Sequence, residues 1–449
     1  MAKPSLWLGC AAGFSGDRAD AAGPVVDTLA AREGAACLLF EVLAERTLAL
    51  AQLARRANRE AGYEPQLDAM VAPVLGKCLA HGIRIVSNFG AANPESAARR
   101  IAKMAREQGL RAPRIAVISG DDLSAARHRP MLEKALGSAF EGEMVSANAY
   151  LGAEPIAAAL DAGAEIVVAG RVADPSLAVG PAMAHFGAAP DDWAFLGSAT
   201  MTGHLLECGL QVTGGYFADP GFKDVPDLAN AGYPIAEVRS DGSCVIGKAD
   251  GTGGLVDLRT VKEQLLYEVH DPAAYLTPDV VADITEARVR EVERNRVELA
   301  GVRGHPRPET LKVTVYREGG WLAEAEISYA GPGAEARARL AADVVRKRLD
   351  GLAIRIDLIG VVSLFADDAG RMLSAQREGD ARDVRLRVAA AHASRDEADR
   401  VAKEVTALYT CGPAGGGGVR TSLRPRLETR SCFVPRSSVA ARFDFLESR

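Results

Sequence analysis

The chain has 449 residues, seven cysteines and a formal net charge of −6, with an isoelectric point near 5.8. That length predicts two or three domains at roughly 100–200 residues each, and the acidic balance excludes a general nucleic-acid or membrane-surface binder. No Cys-x-x-Cys pair, no apolar run of roughly 18 residues and no signal peptide are present, so the expectation is a cytoplasmic protein with reduced thiols.

Short apolar runs bounded by turn formers recur at Leu6–Cys10, Ala36–Leu43, Ile83–Asn88, Arg114–Gly120 and Glu165–Gly170. They read as strands buried on both faces. Helical stretches lie between them. One runs from Glu45 towards Gly62, and another opens with Asn93 as N-cap and Pro94 in the first turn, ending at Gly109. The alternation predicts an α/β N-terminal domain with a mostly parallel sheet over residues 1–192. Ligands of such sheets collect beyond the carboxyl ends of the strands. The strand tips here carry Asp17, Arg18, Glu41, Asn88, Asn93, Asp121, Asp122, Arg171 and Asp174, which suggests a shared polar cleft.

Residues 193–300 read as a loop-rich excursion with short strands and a connecting segment, either a lid or an arm. Beyond them, Thr310–Gly319 and Gly320–Gly331 alternate apolar and polar residues across Glu318-Gly319-Gly320, a hairpin signal. Helices over 334–352 and 394–412 and strands at Ile354–Gly360, Val384–Ala390 and Leu427–Val434 follow. Residues 301–449 are therefore predicted to form an α+β C-terminal domain with a mostly antiparallel sheet.

In the stretch TGHLLECG, His204 and Glu207 stand three apart and Cys208 follows. On a helix they share one face, which suits acid–base work, a metal, or plain structural hydrogen bonding. Arg171, directly after a strand, has the shape to hold a carboxylate or phosphate oxygen. Asp174 before Pro175 reads equally as a helix cap. Gly415, Gly416, Gly417 and Gly418, with Arg420 following, leave backbone N–H groups free to cradle an anion, or let two backbones pass closely. The run is not a Walker loop. Lys262 and His270 are further acid–base candidates near the end of a helix.

The stretches GFSGDR, EVLAERT, GIRIVSNFGAANP, SANAYLGAEPI, GAEIVVAGRVADPSL, GHLLECGLQVTGGYFADPGFKDVPDLANAGYPIAEV, GTGGLV, TVKEQLLYEVHDPAAYLTPDVVADI, RPETLKVTV and GPAGGGGVR resemble the acyclic terpene utilisation AtuA-like family over nearly the whole chain. The resemblance implies a bacterial cytoplasmic protein in catabolism of branched acyclic terpenoids and related acyl-CoA intermediates. Some relatives carry a further small domain, so a small partner subunit is an expectation it raises. It transfers no catalytic assignment.

The residues then support two classes of function. The first is a lyase or hydratase acting on an acyl-CoA thioester or small branched carboxylate. Its catalytic candidates are His204, Glu207, Arg171, Asp174 and Asp17, and its substrate or anion contacts are Gly415–Gly418, Arg420, Asn88 and Asn93. No redox cofactor is expected, because no dinucleotide fingerprint occurs. The second is a non-catalytic subunit or ligand-binding module of a catabolic complex. A weaker variant of the first uses a divalent metal at Asp17, His204 and Glu207. A homo-oligomer is expected on general grounds.

Overall fold

The computed structural model describes residues 4–138 and 143–447. The strands are β1 (Leu6–Cys10), β2 (Ala35–Phe40), β3 (Arg84–Ser87), β4 (Ile115–Ser119), β5 (Met144–Ala149), β6 (Ile166–Val168), β7 (Pro234–Val238) and β8 (Cys244–Lys248). Five short ones follow: β9 (Tyr275–Leu276), β10 (Val281–Asp283), β11 (Arg288–Glu293), β12 (Arg296–Ala300) and β13 (Arg303–His305). The last five are β14 (Thr310–Ala330), β15 (Arg355–Ile359), β16 (Asp383–His392), β17 (Gly417–Pro435) and β18 (Arg442–Phe445).

Among the described residues the first compact unit comprises 4–138, 144–315 and 430–447, and the second is built from Tyr316–Thr429. The first unit carries a sheet of order β11-β12-β8-β7-β1-β2-β3-β6-β4-β18. Its middle, β1-β2-β3-β6-β4, is parallel. Antiparallel strands extend it on both sides, β7 beside β1 and β18 beside β4. The parallel core has the sequence's short apolar runs as strands, because every second side chain enters a different core. Leu38, Phe40, Ile85 and Val168 join one cluster, while Leu39, Val86 and Val167 join another.

Helices α1 (Ala22–Ala30), α2 (Glu45–Ala57), α3 (Leu67–Val71), α4 (Leu75–His81) and α5 (Pro94–Glu107) follow the first strands. The helices α1, α4 and α5 cover the first of these faces. Further along come α6 (Arg129–Leu136), α7 (Glu154–Asp161), α8 (Ser176–Phe186), α9 (Trp193–Glu207) and α10 (Leu258–Leu266), of which α7, α8 and α9 cover the second face. The start of α5 is where the sequence places it: Asn93 accepts from the Ser96 N–H at 3.3 Å, with Pro94 in the first turn.

The segment from Trp193 onward differs from the loop-rich reading. It opens with α9, a 15-residue helix buried on nearly every side, and its strands β7 and β8 belong to the main sheet. A helix apolar all round shows no amphipathic stripe, so periodicity does not reveal it. Gly203 lets it lie against α8's entry, where a Cβ would come within 2.6 Å of the Pro175 carbonyl. The loop character is real farther on, between the short 3-10 turn Gly209–Thr213 and β7.

In the second unit α11 (Ala334–Arg348), α12 (Arg371–Ala375) and α13 (Arg395–Cys411) accompany a sheet of order β15-β16-β14-β17. Helices α11 and α13 pack on one face, through Ala338, Val345, Val401 and Val405 against Ile327, Leu358 and Leu386. The β16 strand runs antiparallel to both β14 and β15, in keeping with the α+β expectation. The hairpin across Glu318–Gly320 does not form. Thr310–Ala330 is one strand, and Gly320 (φ 80°) only kinks it, with a Cβ there 2.4 Å from the His392 carbonyl. Its early residues pair with β5 and Trp321–Ala330 with β16. Left-handed glycine serves a kink as well as a turn, and period-two alternation is the same in either case.

Candidate acid–base site

Because β2, β3, β6 and β4 run parallel as neighbours, the residues after them meet along one sheet edge. Asn88, after β3, donates to Glu41 Oε1 at 2.7 Å and accepts the Val42 N–H at 2.8 Å. Glu41 Oε1 also accepts the Leu43 N–H at 2.9 Å. Asp121, after β4, accepts from the Arg171 N–H at 3.0 Å and from the Asn148 amide at 2.9 Å. Gly170 permits this approach, since a Cβ would lie 2.8 Å from Asp121 Oδ2. The strand tips thus join through hydrogen bonds, and the residues so joined are buried.

Burial is the main influence on both acids. It pushes the Asp121 carboxyl up to about 6 against the hydrogen bonds from Arg171 and Asn148. It pushes Glu41 up to about 8, helped by the charge of Asp174 and opposed by Arg171. A folded-state pKa above the ordinary 4.5 means that Glu41 keeps its proton in the folded chain after the unfolded chain has lost it. Its contribution to stability is complete below about 4.5 and is lost as pH rises through about 8. His204, held down to about 4 from 6.5 by burial, acts in the opposite sense below 6.5. Between 6.5 and 8, therefore, His204 does not oppose it. Glu41→Gln mimics the protonated acid, and in urea titrations across that window it should remove a fall of up to about 1.4 kcal/mol per pH unit. An unchanged slope would show that Glu41 ionises normally.

Arg171 is 1% exposed. Its Nε and Nη2 donate to the Val172 carbonyl at 2.8 and 2.5 Å, Nη1 donates to the Leu43 carbonyl, and Nη2 pairs with Asp174. The guanidinium lies over the Tyr150 ring, 4.5 Å from its centroid. The Tyr150 hydroxyl donates to Glu45 at 2.5 Å, and Lys312 reaches the same carboxylate at 3.1 Å. Burial alone would raise Glu45, yet these partners hold it down to about 2. Arg171 is therefore a fixed buried charge whose fork is filled by its own chain. Asp174, 39% exposed, spends a carboxylate oxygen on that fork. It does not cap α8: Pro175 occupies the cap position with no side-chain bond.

His204 and Glu207 close the last turn of α9. His204 is 2% exposed, with Nε2 2.9 Å from the Gln264 carbonyl and Nδ1 2.9 Å from Glu207 Oε1. A carbonyl only accepts, so Nε2 carries the ring proton. Burial keeps the ring neutral at neutral pH, leaving Nδ1 as a lone pair. The proton between Nδ1 and Oε1 then belongs to Glu207. Burial first, and the charges of Asp174 and Glu268 next, hold that carboxyl well above its usual range. Its second oxygen, Oε2, is buried with no partner. Tyr275 borders the pair, its hydroxyl 3.5 Å from Nδ1 and its ring 5.1 Å from the imidazole. Helix α10 is fixed by a capping box at Asp257 and Thr260, and Gln264 on it returns a bond to the His204 carbonyl at 3.0 Å. Glu268 takes φ 57°, a left-handed conformation uncommon outside glycine.

The remaining candidates have defined places. Asp17 accepts the Tyr233 hydroxyl and, at 2.8 and 2.9 Å, the Gly13 and Arg18 N–H groups, so it shapes its own turn. It lies beside the turn after α9, where a Cβ on Gly209 would be 3.4 Å from its carboxylate. Asn93 caps α5 and donates to the Arg59 and Ala61 carbonyls at 2.8 Å each. Lys262 and His270 are exposed. Gly415–Gly418 and Arg420 belong to the second unit. There Gly415 and Gly418 take φ 73° and 66°, and a Cβ on Gly416 would meet Ile327 at 2.9 Å, so the run brings the α13–β17 link close to β14. Sequence reasoning missed Gln264, Tyr275 and the Tyr150–Glu45–Lys312 group, which no spacing pattern marks.

Among the described residues no three His, Cys, Asp or Glu side chains are grouped to hold a metal ion. Burial, with Glu207 beside it, raises the Cys208 thiol, which disfavours a thiolate ligand. Among the described residues no helix is long and apolar enough to cross a membrane. Comparison with curated proteins and with solved structures gave no match. A family model does match, over residues 6–445, that of the acyclic terpene utilisation family protein AtuA. On that match, covering nearly every residue of the strands and helices above, the chain belongs to the AtuA family of acyclic terpene utilisation.

Proposed function

We propose that this chain is an enzyme of acyclic terpene utilisation in which His204 and Glu207 form the acid–base centre of a hydratase or lyase. Its substrate is a branched acyl-CoA thioester or the corresponding small carboxylate. One observation carries the reading: a carboxyl that burial holds well above its usual range, 2.9 Å through one oxygen from a neutral imidazole, with its other oxygen buried and unpartnered. Such an acid can deliver a proton and recover it.

In hydration of an enoyl group, water adds its oxygen to the β-carbon, a base takes the proton that water loses, and an acid protonates the α-carbon. Glu207 supplies the acid, and Nδ1 of His204 accepts the hydrogen bond that orients its carboxyl before the proton is given up. Asp174, partly exposed and steadied by Arg171, is the candidate base. Arg171 serves as a positioning charge, because its donors are already used. That last point also favours a second reading, a ligand-binding subunit without turnover.

The test is a hydration assay with branched enoyl-CoA esters and the matching free acids, run beside thermal-shift measurements on the same compounds. A ligand at about 100 times its dissociation constant adds about 2.7 kcal/mol of stability. Turnover together with a shift is the expected result. A shift with no turnover selects the subunit reading, and neither sinks both.

A further inference from the structure

Glu41, the acid after β2, has no part in the hydration scheme above. Its surroundings fix where its proton sits. The Val42 N–H donates to Asn88 Oδ1 at 2.8 Å, so the Asn88 amide presents its NH₂ to Glu41, 2.7 Å from Oε1. The Leu43 N–H reaches the same Oε1 at 2.9 Å. Both lone pairs of Oε1 are thereby taken, and the acid form carries its proton on Oε2. Among the described residues Oε2 has no hydrogen-bond partner, and unlike the Glu207 Oε2 it is not shielded from solvent. Glu41 keeps 7% of its surface exposed. A neutral carboxyl held this way is an O–H donor with nothing in its own chain to donate to.

The groups that face it place that donor. Asp174 is the charge that acts on Glu41 most strongly. Arg171 comes next, and its Nη1 donates to the Leu43 carbonyl while its Nη2 donates to Asp174. Glu41 and Asp174 both act on the Cys208 thiol, directly beside Glu207. On another side the Glu41 N–H donates to the Ala12 carbonyl at 3.1 Å, and the Cys10 thiol feels the carboxyl's charge. Gly13 carries that segment onto the end of α9, where a Cβ would stand 2.5 Å from the Cys208 carbonyl carbon. Glu41 therefore stands beside the candidate base and within reach of the turn that holds the candidate acid. Burial lifts both thiols, Cys10 to about 12, and Arg171 keeps its charge. Of these neighbours only Arg171 and Asp174 are charged near neutral pH.

We propose that Glu41 Oε2 donates the hydrogen bond that receives the carbonyl oxygen of the bound thioester. The assignment rests on the hydration reading above and supplies a role it lacks. As the water oxygen bonds to the β-carbon, the electron pair of the double bond moves towards the α-carbon and the carbonyl oxygen, which becomes an enolate oxygen. Asp174 takes the proton from water, Glu207 gives one to the α-carbon, and the carbonyl re-forms. Glu41 keeps its proton throughout and lends it to the oxygen while charge develops there. The Arg171 fork is filled and does not serve. A carboxylic acid held neutral is suited to this work, and one such donor is worth about 10²–10³ in turnover.

The test uses the full chain and isovaleryl-CoA labelled at its carbonyl carbon, a saturated thioester that cannot be hydrated. Raman difference spectra read its carbonyl stretch. In the unaltered chain binding should lower that frequency, and raising the pH past about 8 should restore it as Glu41 ionises. In Glu41→Gln the amide NH₂ takes the Oε2 place, because Asn88 and Leu43 hold the oxygen, so the lowering should persist on both sides of that pH. Glu41→Met offers no donor and should show no lowering, with hydration down about 10²–10³-fold. Glu41→Gln should stay within about tenfold of the unaltered chain. Circular dichroism checks the fold of Glu41→Met, and the pH comparison with Glu41→Gln decides the matter if that variant does not fold. No binding, a carbonyl unmoved on binding, a lowering in the unaltered chain that ignores pH, or full turnover in folded Glu41→Met would each overturn the assignment. Glu207→Gln separates it from the acid–base reading. Turnover lost there but kept in Glu41→Met leaves the acid–base centre without Glu41. A Glu41-dependent carbonyl shift with turnover unchanged in Glu207→Gln leaves the Glu41 contact without that centre.

Discussion

Glu207→Gln is expected to lower turnover in the hydration assay by about 10²–10⁴-fold, the usual worth of a positioned acid. The substitution keeps shape and hydrogen bonding. Its amide NH₂ still donates to Nδ1 of His204, and the buried Oε2 site stays without a charge. What disappears is the transferable proton. The melting temperature should therefore hardly move, which separates this variant from a folding defect. His204→Ala provides the contrast. It orphans the Gln264 carbonyl and the Glu207 carboxyl, so about 1–3 kcal/mol of stability should go with the activity. Full activity in Glu207→Gln would end the catalytic role of the pair.

The largest expected effect on stability is at Arg171. Arg171→Met removes one member of a buried ion pair and leaves the Leu43 and Val172 carbonyls without their side-chain donor. Losses of about 3–5 kcal/mol accompany such one-sided deletions. Asp174 is partly exposed, so the lower half of that range is the better expectation, read from the urea transition of the first unit. Adding Asp174→Asn should recover part of the loss, because the stranded charge goes too. Arg171→Lys should not rescue fully: an ammonium cannot meet two carbonyls and a carboxylate in one plane. A cost below about 1 kcal/mol for Arg171→Met would show that the pair does not organise the strand tips.

Much of the first unit is legible in the sequence because its signals are local. The runs at Leu6–Cys10 and Arg114–Gly120 contain β1 and β4, and Asn93-Pro94 marks the start of α5. The local signals fail where one pattern serves two structures. Helix α9 is buried all round and has no polar face to betray it, and Gly319-Gly320 kinks a strand where a hairpin has the same alternation. The site divides in the same way. His204 and Glu207 are visible through their spacing on one helix face. Gln264 and Tyr275 come from sixty to seventy positions away, and nothing in their own neighbourhoods announces that α10 and β9 return to the end of α9. Arg171 stands out by its place after a strand, but not the fact that backbone carbonyls fill its fork.

The strand β18 pairs with β4, Arg442 opposite Ser119, although Tyr316–Thr429 of the second unit are spliced into the chain between Val315 and Arg430. During synthesis β4 emerges long before its partner. At roughly 5–20 residues per second, more than about fifteen seconds separate the two. For that interval the β4 side of the sheet is an open edge, with N–H and C=O groups available to any other extended segment. A nascent or clipped protein lacking β18 is therefore expected to be prone to edge-to-edge association until this long-range pairing is made.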